Sequence, residues 1–168
     1  MLRLFLVSVL CAFLLAYHSG VEPSLQKGSL CVEGEKVVFS CVIQKSAKVV
    51  SLCGSPDLAK DRGYLQYRFG LPGKLELEFP QQKDSSPQSF KYNHYFRAQV
   101  DLTEISFSKD NFQYTVFDDF NGEEKPAIKR QGVTVTPSGS DKEKTLLCQS
   151  RAKIEFLGLE EILPQNSQ

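Results

Sequence analysis

A predicted hairpin that contains two cysteines constrains the fold of this chain more than any other feature. Residues 37–43 carry an apolar side chain at every second position, and a short β-branched segment, residues 49–53, follows a polar turn. Cys41 lies in the first of these predicted strands, and Cys53 ends the second. A third alternating segment over residues 64–70 extends the pattern. The stretch therefore predicts an antiparallel sheet that its cysteines fasten to other parts of the chain.

Disulfide bonds are the predicted role of the cysteines. Four of them follow the N-terminal apolar segment: Cys31, Cys41, Cys53 and Cys148. An even number of cysteines in an exported chain favours two disulfides, for which three connectivities exist. The hairpin register places Cys41 opposite Val50 rather than opposite Cys53, so these two cysteines are poor partners. We therefore predict the pairs Cys31–Cys53 and Cys41–Cys148, with the other two connectivities left open.

The N-terminal segment predicts export. Residues 1–20 contain one basic residue, Arg3, followed by an apolar run over residues 4–16. This run has the length of a signal-peptide core and is too short to span a bilayer alone. Lipidation of Cys11 is disfavoured, because Leu10 precedes it where a small residue is needed. We expect residues 1–20 to be a cleaved signal peptide and the mature protein to lie outside the cytoplasm.

Residues 21–168 form one predicted domain, which is long enough to bury a core unaided. We expect its core over about residues 30–150 and a C-terminal arm over residues 151–168. The chain carries 20 basic and 20 acidic residues. This balance gives no electrostatic reason for nucleic acid or an anionic membrane to bind. We expect no nucleic-acid partner and no transmembrane segment in the mature chain.

Alternation of apolar and polar side chains continues after the first three strands and predicts the fold class. Further strands are predicted over residues 75–79, 90–98, 102–107, 112–117, 132–136 and 145–148. The chain is therefore predicted to be all-β, an antiparallel sandwich or flattened barrel of eight to nine strands with two disulfides. Residues 153–163 are predicted to form a short helix or an irregular arm, because Gly158 and Pro164 limit its length.

The order of several short segments resembles a known group of proteins. The segments are F-S-C, K-x-V-S-L-C, G-Y-L-Q-Y-R-F-G, Y-T-V-F, G-V-x-V and a late L-x-C. This order resembles a family of small exported bacterial proteins of uncharacterised function, over nearly the whole mature chain and most specifically at residues 63–70. The resemblance implies a bacterial origin and a periplasmic or secreted location, and it implies no catalytic or binding residues. The chain departs from that family in lacking a glycine-rich stretch between Phe90 and Phe112.

Metal sites are disfavoured by the spacing of the available ligands. The acidic cluster over residues 118–124 suggests calcium. If the Asn-Gly pair at 121–122 is set in the middle of an EF-hand loop, Phe117 and Ile128 fall where acidic ligands are required. Zinc is disfavoured because no C-x-x-C pair is present and His94 is the only histidine after the signal peptide. We expect no metal and no cofactor.

Candidate binding residues come from strand positions opposite the main apolar stripes. Tyr64, Tyr95 and Phe117 occupy such positions, and Arg68 lies on the polar face of its strand. These four are candidates for an exposed recognition patch, with packing in a second layer or cross-strand pairing as the alternative. His94 falls in an apolar stripe without a second histidine or reactive thiol. We expect it to be partly buried among aromatic side chains rather than catalytic.

The function predicted from the sequence is binding rather than catalysis. The chain contains no G-x-S-x-G motif, no phosphate-binding glycine loop and no paired histidines. We expect a non-enzymatic binding or inhibitor protein, for example of a lysozyme-like enzyme, whose partner is another protein or an envelope component. Two alternatives remain open. One is an envelope structural or assembly factor that uses a strand edge or residues 153–163, and the other is a hydrolase that uses His94.

Overall fold

The structure of the protein is a computed structural model that describes residues 24–84 and 86–166. The predicted signal peptide, with Cys11, lies outside the described residues. The elements in chain order are β1 (Lys36–Val42), β2 (Val49–Gly54), β3 (Leu65–Leu71), β4 (Lys74–Phe79), a 3-10 turn (Ser86–Ser89), β5 (Lys91–Arg97), β6 (Val100–Lys109), β7 (Phe112–Asn121), β8 (Ile128–Pro137), β9 (Lys144–Leu147), β10 (Lys153–Ile154) and α1 (Leu159–Ile162). No helix in this part of the chain is long and apolar enough to cross a membrane.

The strands form two antiparallel five-stranded sheets. The first sheet has the order β10-β1-β2-β3-β4, and the second has the order β5-β6-β7-β8-β9. Their apolar faces pack against each other, as in other two-layer β folds. The prediction of an all-β sandwich with two disulfides is confirmed. The ten strands include β10, a two-residue strand within the predicted C-terminal arm that pairs with β1.

Strand alternation places one large apolar side chain after another on the inner face of each sheet. In the second sheet, Ile105, Val116 and Val133 lie opposite one another in register on neighbouring strands, and all three are fully buried. In the first sheet, Phe39 and Leu52 form an equivalent buried pair. This cross-strand stacking of apolar side chains is the main stabilising contact in both sheets.

The two cysteines of the first hairpin lie on opposite faces of the first sheet. Cys41 lies opposite Val50 on the inner face, as the sequence predicts, and forms a disulfide with Cys148. This bond ties β1 to the end of β9 in the second sheet. Cys53 forms a disulfide with Cys31, which precedes β1. The predicted connectivity is therefore confirmed.

Residues 24–35, here called the N-terminal strap, cover the outer face of the first sheet. The Leu30 amide donates a hydrogen bond of 3.0 Å to Ser51 Oγ, and Ser40 Oγ lies 2.8 Å from the same oxygen. Every residue of β2 is consequently buried, although only one of its faces meets the second sheet. The strap gives the first sheet a third layer, which changes the environment of every side chain on that outer face.

Candidate ligand-binding site

An apolar cavity of about 600 Å³ lies between the two sheets. Its walls come from residues near the ends of five strands. Those on the first sheet are Tyr67, Phe69 and Leu77, and those on the second are Phe112, Tyr114, Val135, Pro137 and Leu146. Phe112 is the first residue of β7 and Pro137 is the last of β8, so the cavity lies where these strands begin and end.

Three aromatic rings pack together beside this cavity: Tyr67 and Tyr114 line it, and Phe107 lies in the core behind them. The centroid of the Phe107 ring lies 4.9 Å from that of Tyr67 and 4.9 Å from that of Tyr114, and the Phe107 and Tyr114 planes are 4° apart. Burial raises the pKa of the Tyr67 phenol, and the nearby Tyr114 phenol raises it further. The Tyr67 phenol therefore stays uncharged at physiological pH, and the partly buried Tyr114 ring presents apolar surface to the cavity.

A β-bulge lies beside the cavity in the first sheet. The pairing of β3 with β4 shifts register between Phe69 and Gly70. Gly70 has φ of 146°, and a Cβ there would lie 2.6 Å from the Lys74 carbonyl oxygen. A side chain is therefore excluded at this position. Because a bulge bends its strand, the glycine allows the end of the β3–β4 hairpin to curve next to the cavity.

Charged side chains line the mouth of the cavity: Glu76, Lys142, Glu143 and Lys144. Glu76 forms an ion pair of 2.7 Å with Lys48. Lys144 lies two residues before Leu146 on β9, so their side chains share a face of the strand. Its cross-strand partner is Val135, which places Lys144 on the inner face of the second sheet. Apolar walls with a few charged groups at the entrance are the usual composition of small-molecule sites.

Arg68 is buried and does not belong to an exposed patch, and the alternative of cross-strand pairing holds, because its register partner Glu78 on β4 is also an ion-pair partner. Its guanidinium forms a bidentate ion pair with Glu35, with Nη1 2.7 Å from Oε2 and Nη2 2.8 Å from Oε1. Its Nε donates to Glu78 at 3.1 Å, and Nη1 also donates to the Leu30 carbonyl at 2.9 Å. The N-terminal strap removes this face of β3 from solvent, so Arg68 acts as an internal anchor.

Tyr64 joins the same buried network and is part-buried rather than free for recognition. Its hydroxyl donates a hydrogen bond of 2.6 Å to Glu35, and the Lys83 ammonium lies 4.1 Å from its ring centroid. Burial, together with the Glu35 carboxylate, raises the pKa of Tyr64 to about 12. Two of the four predicted binding residues, Tyr64 and Arg68, therefore meet at one carboxylate in a structural cluster.

The remaining two candidates, Phe117 and Tyr95, both lie on the outer face of the second sheet. Phe117 is buried, which favours the alternative of packing over exposed recognition, and its cross-strand partner is Gly132. Tyr95 is 46% exposed, as predicted, and pairs with Leu102. The four candidates therefore do not form one exposed patch, and only Tyr95 is open to solvent.

His94 is more exposed than the sequence predicts. Its ring lies 6.4 Å from that of Tyr92 and 6.2 Å from that of Phe96, so the expected aromatic neighbours are present. Its side chain is nevertheless 41% exposed, and Nε2 lies 2.8 Å from Asp101 Oδ1. In the described part of the chain the four cysteines are all in disulfides, so no thiol is available to complete a catalytic dyad with this histidine.

One group of potential metal ligands occurs within residues 24–84 and 86–166. It brings together the sulfur atoms of Cys31 and Cys53 and the carboxylate of Glu35. The two sulfur atoms are bonded to each other, and the carboxylate is engaged by Arg68. The group therefore offers no thiolate and no free carboxylate, and it is a structural cluster rather than a metal site.

The cavity itself was not predicted from the sequence. Tyr67 and Phe69 are predicted as inward-facing core residues, but nothing local shows that a space lies above them. The one local signal is Lys144, which occupies an inward position at the start of β9 and directly precedes the strand predicted over residues 145–148. A charged side chain at such a position indicates that the adjoining interior is open to solvent.

No family model matches the chain, and neither a curated protein nor a solved structure matches it. The resemblance to small exported bacterial proteins therefore stays a prediction. The geometry of the described residues is what supports a function.

Proposed function

We propose that the protein is an exported bacterial, non-enzymatic binding protein that holds a small molecule with an apolar portion between its two sheets. The observation that carries this proposal is the apolar cavity of about 600 Å³ lined by both sheets. Sites for small molecules commonly have volumes of roughly 300 to 1,000 Å³ and mostly apolar walls. The two disulfides support export, because such bonds persist in oxidising compartments.

The residues around the cavity support binding rather than catalysis. Its lining contains no histidine, cysteine or serine that could act as a nucleophile or general base. Of the two carboxylates at the mouth, Glu76 is already paired with Lys48. An inhibitor of a lysozyme-like enzyme would need an exposed protein-binding patch, and of the four predicted patch residues only Tyr95 is more than part-exposed. A small-molecule ligand is therefore the better supported form of the binding hypothesis.

A neutral fluorescent probe and a cavity-filling variant test this proposal. N-phenyl-1-naphthylamine should bind saturably, with one molecule per protein and increased emission. Val135→Phe fills the cavity from the inner face of β8 and should abolish the signal. Thr134→Phe is the matched control, because it adds the same ring on the outer face of the same strand. Thermal melting would show that both variants are folded. Absence of saturable binding, or equal binding by the two variants, would overturn the proposal.

A further inference from the structure

Lys144 carries a positive charge at an inward-facing position of β9. It shares the inner face of β9 with Leu146, and its cross-strand partner is Val135, a wall residue of the cavity. The neighbouring inward positions on β8 and β9 are apolar. Along this part of the sheet, the apolar surface of the cavity therefore changes to a positive charge at its mouth.

Of the two acidic residues that line the mouth, Glu76 and Glu143, neither forms an ion pair with Lys144. Glu76 lies 2.7 Å from the ammonium of Lys48, which therefore neutralises it. Glu143 also lines a separate pocket on the outer face of the second sheet, together with Arg130. Within residues 24–84 and 86–166, no carboxylate lies within 4.0 Å of the ammonium of Lys142 or Lys144. Two lysines are therefore free to bind an anion at the entrance.

We propose that the ligand is an anionic amphiphile, whose apolar tail lies against the aromatic wall of the cavity and whose anionic head pairs with Lys144 and Lys142 at the mouth. This inference rests on the proposed function, because it specifies the ligand of the same cavity. The tail removes apolar surface from water against the partly buried side chains of Phe69, Leu77 and Tyr114, and each buried methylene strengthens binding about fourfold. The head stays at the mouth, where a carboxylate or phosphate keeps its hydration while it accepts hydrogen bonds from the ammonium groups.

Three twelve-carbon compounds that differ in the charge of the head test the inference. Dodecanoate, dodecanol and dodecyltrimethylammonium would compete with N-phenyl-1-naphthylamine at concentrations below micelle formation. We expect dodecanoate to displace the probe at the lowest concentration and the cationic compound to require at least about tenfold more. Equal displacement by all three would overturn the anionic assignment while leaving the cavity as a binding site. Failure of the probe and of every compound to bind would overturn both proposals.

Two lysine variants determine whether the preference arises at the mouth. Lys144→Gln should reduce the advantage of dodecanoate over dodecanol about tenfold. Lys60→Gln, which removes an exposed charge from a distant loop, should behave as the wild type. Equal effects of the two variants would overturn the role of Lys144, because they would indicate nonspecific attraction.

A fourth compound, dodecyl phosphate, distinguishes two sources of the anionic head. Tighter binding of the phosphate than of dodecanoate would support a phospholipid-derived ligand. Tighter binding of dodecanoate would support a free fatty acid. Both results agree with the proposed class, whereas weaker binding of both anions than of dodecanol would contradict it.

Discussion

At the scale of single residues, Glu35 holds the N-terminal strap and the first sheet together. Burial by itself would raise the pKa of this carboxyl, but hydrogen bonds from Arg68, Tyr64 and the Val32 amide outweigh burial, and the pKa lies below its usual value. The charged form is therefore the stable one inside the protein. Arg68 is also buried, so the pair compensates two charges inside the protein, with Glu78 as a second partner of Arg68 and Lys83 as a second partner of Glu35.

Glu35→Gln should lower the free energy of unfolding at pH 7 by about 3 to 5 kcal/mol, because it leaves the buried Arg68 guanidinium with only the partly exposed Glu78 carboxylate. A carboxyl with a lowered folded pKa stabilises the protein above its unfolded pKa, and this contribution is lost as the pH falls through the folded pKa. The difference between wild type and variant should therefore shrink below about pH 4. Urea unfolding at pH 7 and pH 3 measures both values.

The matched control for this substitution is Glu33→Gln, which changes an exposed carboxyl of the same strap. It should alter stability by less than about 0.5 kcal/mol at either pH. A difference between wild type and Glu35→Gln that is constant with pH would contradict the role given to the Glu35 charge.

At the scale of elements, the two disulfides fasten different layers. Cys41–Cys148 connects β1 with the end of β9 and spans 107 residues of sequence. Cys31–Cys53 fastens the N-terminal strap to β2 and spans 22 residues. Alternation along the hairpin explains why the two bonds reach different layers, because the Cys41 side chain faces the second sheet and the Cys53 side chain faces the strap. The β1–β2 hairpin is therefore bonded to the second sheet on one face and to the N-terminal strap on the other.

Removal of the longer disulfide should cost more stability than removal of the shorter one. On the chain-entropy argument, Cys41→Ala with Cys148→Ala should lose about 5 kcal/mol, and Cys31→Ala with Cys53→Ala about 3 kcal/mol. Replacing both partners in each case avoids leaving a free thiol. Urea unfolding under non-reducing conditions gives the comparison. An equal loss, or a larger loss for the shorter bond, would show that packing of the strap rather than loop closure controls stability.

At the scale of the whole molecule, the sandwich is closed differently on its two sides. On one side, the Gln44 amide donates a 2.8 Å hydrogen bond to the Leu147 carbonyl, so backbone bonds link the two sheets next to the Cys41–Cys148 disulfide. On the other side, aromatic rings fill the space between β4 and β5. The Phe79 and Phe107 rings are stacked with centroids 4.5 Å apart, and Phe90 contacts both. Phe107 therefore contacts residues of both sheets.

Phe107→Ala should destabilise the protein by about 3 to 5 kcal/mol, because it leaves a cavity where the two sheets meet. Phe96→Ala provides the comparison, since that ring is on a strand of the same sheet and is 72% exposed. Its loss should change stability by less than about 0.5 kcal/mol. Thermal and urea unfolding of the two variants test the assignment. Similar losses for both would mean that the inter-sheet aromatic cluster does not hold the sandwich together.

The sequence by itself determined most of the strands and the inward-facing apolar residues, and it favoured one disulfide pairing over two others. These features depend on alternation along each strand, and alternation is a local property of the chain. The pairing of Cys41 with Cys148 could be favoured because the predicted hairpin register places Cys41 opposite Val50 rather than opposite Cys53. Of the candidate site, the sequence could predict that Tyr67 and Phe69 point inward.

Only the tertiary structure decided which faces meet solvent and where the interior stays open. Alternation distinguishes the two faces of a strand, but it does not show what covers each face. Arg68 is buried because Glu35, 33 residues earlier in the chain, lies against it, and Phe117 is buried beside Gly132 of the next strand. The cavity likewise arises where β3 and β4 meet β7, β8 and β9, two groups of strands that are distant in sequence. Its volume depends on how far the two sheets separate, and no local pattern records that distance.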